Sequence, residues 1–112
     1  MSTEVKWIEI GALADIPVRG ARRIAVPGGV IAVFRAADDR VFALDDKCPH
    51  LGGPLSQGIV HDTSVTCPLH NWVIDLETGL ARGADEGCVR TVPVRVEAGR
   101  VLIGLEAAMR AA

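Results

Sequence analysis

The sequence predicts an all-β fold, a small antiparallel sandwich or barrel, from three observations. Short runs of β-branched and aromatic residues recur along the chain. Twelve glycines and six prolines supply the turns between them. No βαβ alternation and no amphipathic segment longer than a few helical turns interrupts the pattern.

Trp7-Ile8-Glu9-Ile10 is the first strand. Asp15-Ile16-Pro17 predicts a turn or one helical turn, and Arg22–Val26 is a second apolar run closed by Pro27-Gly28-Gly29. Val30–Phe34 and Val41–Leu44 flank Ala37–Arg40, a polar connection of hairpin length, and this hairpin leads directly into Cys48. Further on, Trp72–Leu76 meets the turn Glu77-Thr78-Gly79. Val89–Val96 is predicted to pair with Arg100–Leu105 across Glu97-Ala98-Gly99. Pro93 cannot donate to a ladder, so it belongs at an edge or a bulge. Glu106–Ala112 are good helix formers, but so short a segment cannot hold a helix alone, and this end is predicted to fray.

A chain of 112 residues fits one domain, residues 1–112, with a core covering roughly two-thirds of the unfolded surface. A net charge of −2 offers no basic stripe, and two Trp with two Phe leave little to stack on bases, so nucleic acid is a poor candidate partner and none is expected. MSTEVKWIEI has neither a basic n-region nor a long apolar stretch, so a cytoplasmic location without membrane attachment is expected. Three cysteines cannot all pair within the chain, and in a reducing compartment grouped Cys and His side chains point to metal ligation.

The stretch CPHLGGPLSQGIVHDTSVTCPLHNW, residues 48–72, contains two of the three cysteines and all three histidines. Its spacing is C-x-H, sixteen residues, then C-x-x-H, which makes Cys48, His50, Cys67 and His70 a candidate ligand set. Thiolate is soft and imidazole borderline, which excludes calcium and magnesium and leaves zinc or an iron–sulfur cluster. Structural zinc sites commonly take like ligands from each loop. A two-iron cluster suits the mixed pairs better, since the two loops together offer one iron two thiolates and the other two imidazoles.

The C-P-H-L-G-G-P-L and C-P-L-H-N-W segments resemble those of Rieske [2Fe–2S] proteins. With Cys67–Gly79 and Asp85-Glu86-Gly87-Cys88-Val89, the pattern is similar to the small subunit of NAD(P)H-dependent nitrite reductase, over somewhat under half of the chain. The resemblance implies a Rieske-type sandwich whose cluster-binding subdomain, about residues 46–78, consists of two hairpin loops. Cys48 and Cys67 would bind the inner iron, and His50 and His70 the outer iron near solvent. It also implies a large partner subunit carrying sirohaem, a [4Fe–4S] cluster and FAD, which reduces nitrite to ammonium. This chain would then be a one-electron relay with no catalytic site of its own. A free Rieske ferredoxin serving a ring-hydroxylating dioxygenase is the alternative, although such ferredoxins commonly place glycine and phenylalanine where this chain has Asn71-Trp72.

Rieske proteins of respiratory and photosynthetic complexes carry an extra cysteine in each loop. Gly53 and Leu69 stand there in this chain, so no bracing disulfide forms. Those proteins also direct serine and tyrosine hydroxyls at the cluster, whereas this chain has no tyrosine and has Trp72 and Ile74 instead, which implies a potential low in the Rieske span.

Other residues read more simply. His61 lies in a polar turn between two short strands and is a solvated side chain rather than a ligand. Cys88, at a strand start without a nearby histidine, is expected to be a small buried side chain. Trp72 is expected in the core. Leu51 and Leu69 could form an apolar rim around the exposed histidines. Neither Gly52-Gly53-Pro54 nor Gly28-Gly29 has the spacing of a phosphate loop.

Overall fold

The strand Gly29–Arg35 is buried on both faces: Ile31, Ala32, Val33 and Phe34 are all sealed from solvent. Side chains alternate across a strand, so a continuous apolar run of this kind must separate two cores. Ala32 and Phe34 join one core, with Leu44, Leu55, Val60, Val65, Cys67, Ile74, Leu76 and Val89. Ile31 and Val33 join the other, with Ile16, Ala43, Val92, Val101, Ile103 and Leu105.

The computed structural model describes residues 5–27, 29–47, 54–68, 72–82 and 87–106. In chain order its strands are β1 (Val5–Ala12), β2 (Ala21–Val26), β3 (Gly29–Arg35), β4 (Val41–Asp45), β5 (Ile59–His61), β6 (Ser64–Thr66), β7 (Val73–Asp75), β8 (Thr91–Val92), β9 (Val94–Glu97) and β10 (Arg100–Glu106). Short 3-10 turns occupy Leu13–Asp15 and Leu55–Gln57. All pairings between these strands are antiparallel, in three sheets ordered β1-β10-β9, β2-β3-β4-β8 and β5-β6-β7. The four-stranded sheet is the middle layer, with one core on each of its faces.

The all-β prediction holds, and so do its main hairpins. β3 and β4 pair with Phe34 opposite Phe42 and Arg35 opposite Val41. The connection closes through the Ala36 N–H to the Arg40 carbonyl at 2.9 Å, with Asp39 at φ 68°. The predicted turn at Asp15 is the 3-10 turn, stapled by Arg22, which donates to the Ile10 carbonyl, and by Arg35, which donates to the Ile16 carbonyl at 2.9 Å.

The predicted strand from Val89 to Val96 divides in two. Val92 pairs with Ala43 of β4, while Val94–Glu97 pairs with β10. Pro93 sits between them and ends the first pairing because it has no N–H, although its carbonyl still accepts from the Gly104 N–H at 2.8 Å. A proline at this point lets the chain pass from the middle sheet to the outer one. The β9–β10 turn places Ala98 at φ 50° and Gly99 at φ 76°, the left-handed pair of a two-residue hairpin. The predicted fraying from Glu106 onward falls at residues 107–112, outside the described residues; Glu106 itself closes β10.

Candidate metal centre

Cys67 is the described member of the predicted ligand set, while Cys48, His50 and His70 lie outside the described residues. It follows β6, and its side chain is fully buried among Leu55, Val65, Ile74 and the partly buried Trp72. Alternation from Val65 directs Cys67 inward, toward the face of the middle sheet formed by Ala32, Phe34 and Leu44.

The loop containing His70 is closed at its base. β6 and β7 pair with Thr66 opposite Val73, and the next rung is the Cys67 N–H donating to the Trp72 carbonyl at 2.7 Å. Trp72 packs half-buried against the core, as its position at the head of Val73-Ile74 predicts.

The loop containing Cys48 and His50 is closed at its base by side chains. Asp46 has a fully buried carboxylate that accepts from the Ser56 N–H at 2.7 Å, the Ser56 hydroxyl at 2.7 Å and Arg23 Nε at 2.7 Å. Beside it, Arg90 bonds Asp45 at 3.1 Å, and the Asp45 N–H donates to the Arg90 carbonyl at 3.0 Å. Sequence reasoning assigned no role to Asp46 or Ser56. The available signal was an acidic residue two places before the first cysteine and a serine just after the Gly-Gly-Pro turn.

Gly58 links these supports. A methyl group at its α-carbon would lie 2.3 Å from the Thr66 carbonyl oxygen, so glycine lets the chain after the first loop press on the strand that presents Cys67.

At the end of β7, Asp75 accepts from the Glu77 N–H at 2.8 Å, the Thr78 N–H at 3.0 Å and Arg82 at 2.6 Å. The Arg82 guanidinium, opposed by partial desolvation and aided by the Thr78 and Glu77 amides, holds the Asp75 carboxyl below its ordinary value.

His61 is exposed as the last residue of β5, with Nε2 2.8 Å from the Thr66 hydroxyl. Cys88 corrects an expectation: it is exposed, not buried. Val89 takes the inward position, and alternation turns the neighbouring Cys88, bridged to Leu80, toward solvent. Among the described residues no group of three or more His, Cys, Asp or Glu side chains gathers as a metal site.

The donor chemistry fits an iron–sulfur cluster. A thiol in apolar surroundings resists ionisation unless a metal takes the thiolate, and a buried cysteine at the closed end of a hairpin suits the inner, sulfur-ligated iron. A three-layer β fold that buries this cysteine where a short connection leaves β6 suits a protein that holds an iron–sulfur cluster.

A family model of the Rieske [2Fe–2S] domain matches residues 6–93. The ferredoxin component of a naphthalene 1,2-dioxygenase system from Pseudomonas aeruginosa is 33% identical over 101 residues, covering 89% of this chain and 96% of that protein. A protein assigned as the small subunit of NADH-dependent nitrite reductase from Mycobacterium tuberculosis superposes with a TM-score of 0.81 at 25% identity, over 90% of this chain and 96% of that one. The ferredoxin of carbazole 1,9a-dioxygenase from Nocardioides aromaticivorans superposes with a TM-score of 0.79 at 25% identity, over 88% of this chain and 96% of that one. The chain therefore belongs to the Rieske [2Fe–2S] family, and its cofactor is a Rieske-type [2Fe–2S] cluster. Among the described residues no helix is long and apolar enough to cross a membrane.

Proposed function

We propose that the chain is the one-electron-transfer subunit of an NAD(P)H-dependent nitrite reductase. It holds the cluster through Cys48 and Cys67 on the inner iron and through His50 and His70 on the outer iron. Residues 1–112 form one domain in this proposal, and the part from about 46 to 78 carries the cluster. When bound, the cluster supplies reversible one-electron chemistry.

The observation that carries this assignment is the stretch from Cys48 to Val94, whose resemblance to the nitrite reductase small subunit continues past the ligands into Asp85-Glu86-Gly87-Cys88-Val89. The chain's own residues provide a buried thiolate position and two closed loops. With no G-x-G-x-x-G or P-loop spacing in the sequence, the electron donor and acceptor lie on other polypeptides or domains. The partner is a large subunit with sirohaem, a [4Fe–4S] cluster and FAD, in the cytoplasm.

A second reading, a free ferredoxin for a ring-hydroxylating dioxygenase, is favoured by one observation. Identities of 33–34% extend over nearly the full length of dioxygenase ferredoxin components. Both functions are tested with one preparation. Under the first, adding the chain raises nitrite-dependent NAD(P)H oxidation by the sirohaem subunit, and the two proteins co-purify. If it instead supports aromatic hydroxylation by a purified reductase and oxygenase and leaves nitrite reduction unchanged, the second function replaces the first.

A further inference from the structure

Asp46 and Ser56 stand ten residues apart in sequence and enclose the segment that contains Cys48 and His50. The Asp46 carboxylate has no solvent exposure, and three donors hold it: one on Oδ1 from the Ser56 backbone, and two on Oδ2 from the Ser56 hydroxyl and Arg23. A buried carboxylate is costly unless its oxygens are satisfied, so this group commits the chain to one geometry. Its own backbone is fixed as well, because the Asp46 N–H donates to the Val30 carbonyl of β3 at 2.9 Å. Ser56 lies in the 3-10 turn whose first residue, Leu55, is sealed in the core shared with Cys67.

We propose that Asp46 is the positioning residue of the first ligand loop. By tying the β4 end of the loop to Ser56, it fixes both ends of the segment that carries Cys48 and His50 before the cluster binds. The proposal rests on the Rieske ligand assignment. Loop closure is the physical reason. Ligands on a loop with free ends must be ordered at the moment of binding, whereas a loop already joined at its base loses less entropy on binding and re-forms faster after a ligand lets go. The second loop has the same device in backbone form, the Cys67–Trp72 hydrogen bond.

The test compares wild type with Asp46→Ala and Ser56→Ala, all isolated anaerobically with cluster. The bleaching rate of the visible absorption in excess iron chelator is measured well below the melting temperature, beside far-UV circular dichroism and the electron paramagnetic resonance spectrum of the reduced protein. Asp46→Ala should bleach about tenfold faster with its dichroism unchanged and its resonance lines broadened. Ser56→Ala keeps the backbone donor and should fall between the two; should Asp46→Ala fail to fold, Ser56→Ala decides. Wild-type bleaching rates in the folded variants overturn the proposal, as does bleaching that merely accompanies unfolding. A wild-type protein without iron, sulfide or visible bands would instead overturn the Rieske assignment, and the clamp with it.

Discussion

The Cys67 N–H meets the Trp72 carbonyl at 2.7 Å, continuing the β6–β7 ladder one rung past Thr66 and Val73. A cysteine predicted to bind metal is thus held by the sheet itself, and His70 lies on the short loop this rung closes. Backbone pairing determines where the sulfur sits.

The two cores make the ligand loops separable from the rest of the fold. His70→Ala should abolish the visible absorption and the bound iron while far-UV circular dichroism stays at the wild-type level. Among the described residues, Ile31, Val33, Val101, Ile103 and Leu105 of the sheets build the outer core. Global unfolding of the variant would show that cluster binding and folding are one event.

Gly58→Ala should disturb both stability and cluster content. The added methyl would sit 2.3 Å from the Thr66 carbonyl oxygen and 2.9 Å from Val65 Cγ2, so backbone must move. A cost of about 1–3 kcal/mol is expected in urea unfolding, together with lower iron occupancy. Unchanged values for both would mean that the contact between the first loop and β6 is compliant.

Acid stability should depend on Asp75. Its pKa is lowered in the folded state, chiefly by Arg82, so its contribution is present above the ordinary value of 3.8 and is lost as pH falls through the folded value. Asp75→Asn keeps an acceptor for the Glu77 and Thr78 amides but removes the charge. The variant should be less stable than wild type by about 1 kcal/mol near neutrality, with the difference vanishing in acid. Urea unfolding at a series of pH values checks this; a constant difference down to the lowest pH would contradict it.

Ala98 occupies a conformation that asparagine or glycine adopts more readily, at φ 50° and followed by Gly99 at φ 76°. Ala98→Asn should raise stability by about 1 kcal/mol, seen as a higher urea midpoint with an unchanged slope. A lower midpoint would place the strain elsewhere in the hairpin.

The chain has no tyrosine to donate a hydroxyl toward the cluster, and Trp72 and Ile74 follow the second ligand pair. Fewer hydrogen bonds to sulfur favour the oxidised state, so the potential should fall in the lower part of the Rieske span, below about +150 mV. A redox titration giving a higher value would show that other donors compensate.

Long apolar runs made much of the fold legible in the sequence. Val30–Phe34 and Val41–Leu44 read as a hairpin because β-branched and aromatic residues flank a polar connection, and β3 and β4 form there. Shorter elements were legible only in outline. β5 and β6 read as two short strands on either side of a turn at His61, and β8 was merged with β9 into one run; with three, three and two residues they are too short to establish a period, and neighbouring strands fix their bounds by pairing with them. Cys88 was misplaced because burial at a strand start depends on which of two adjacent residues turns inward, and Val89 does.

By itself the sequence pointed to the chemistry: the residue types leave zinc or an iron–sulfur cluster, and the pairing of one Cys with one His in each segment favours the cluster. Tertiary structure decided how the donors are held. The burial of β3 on both faces, the Asp46–Ser56 bond and the press of Gly58 on Thr66 each join residues distant in sequence. Such contacts leave no periodic trace, because they arise only once sheets pack and a buried carboxylate must find its donors.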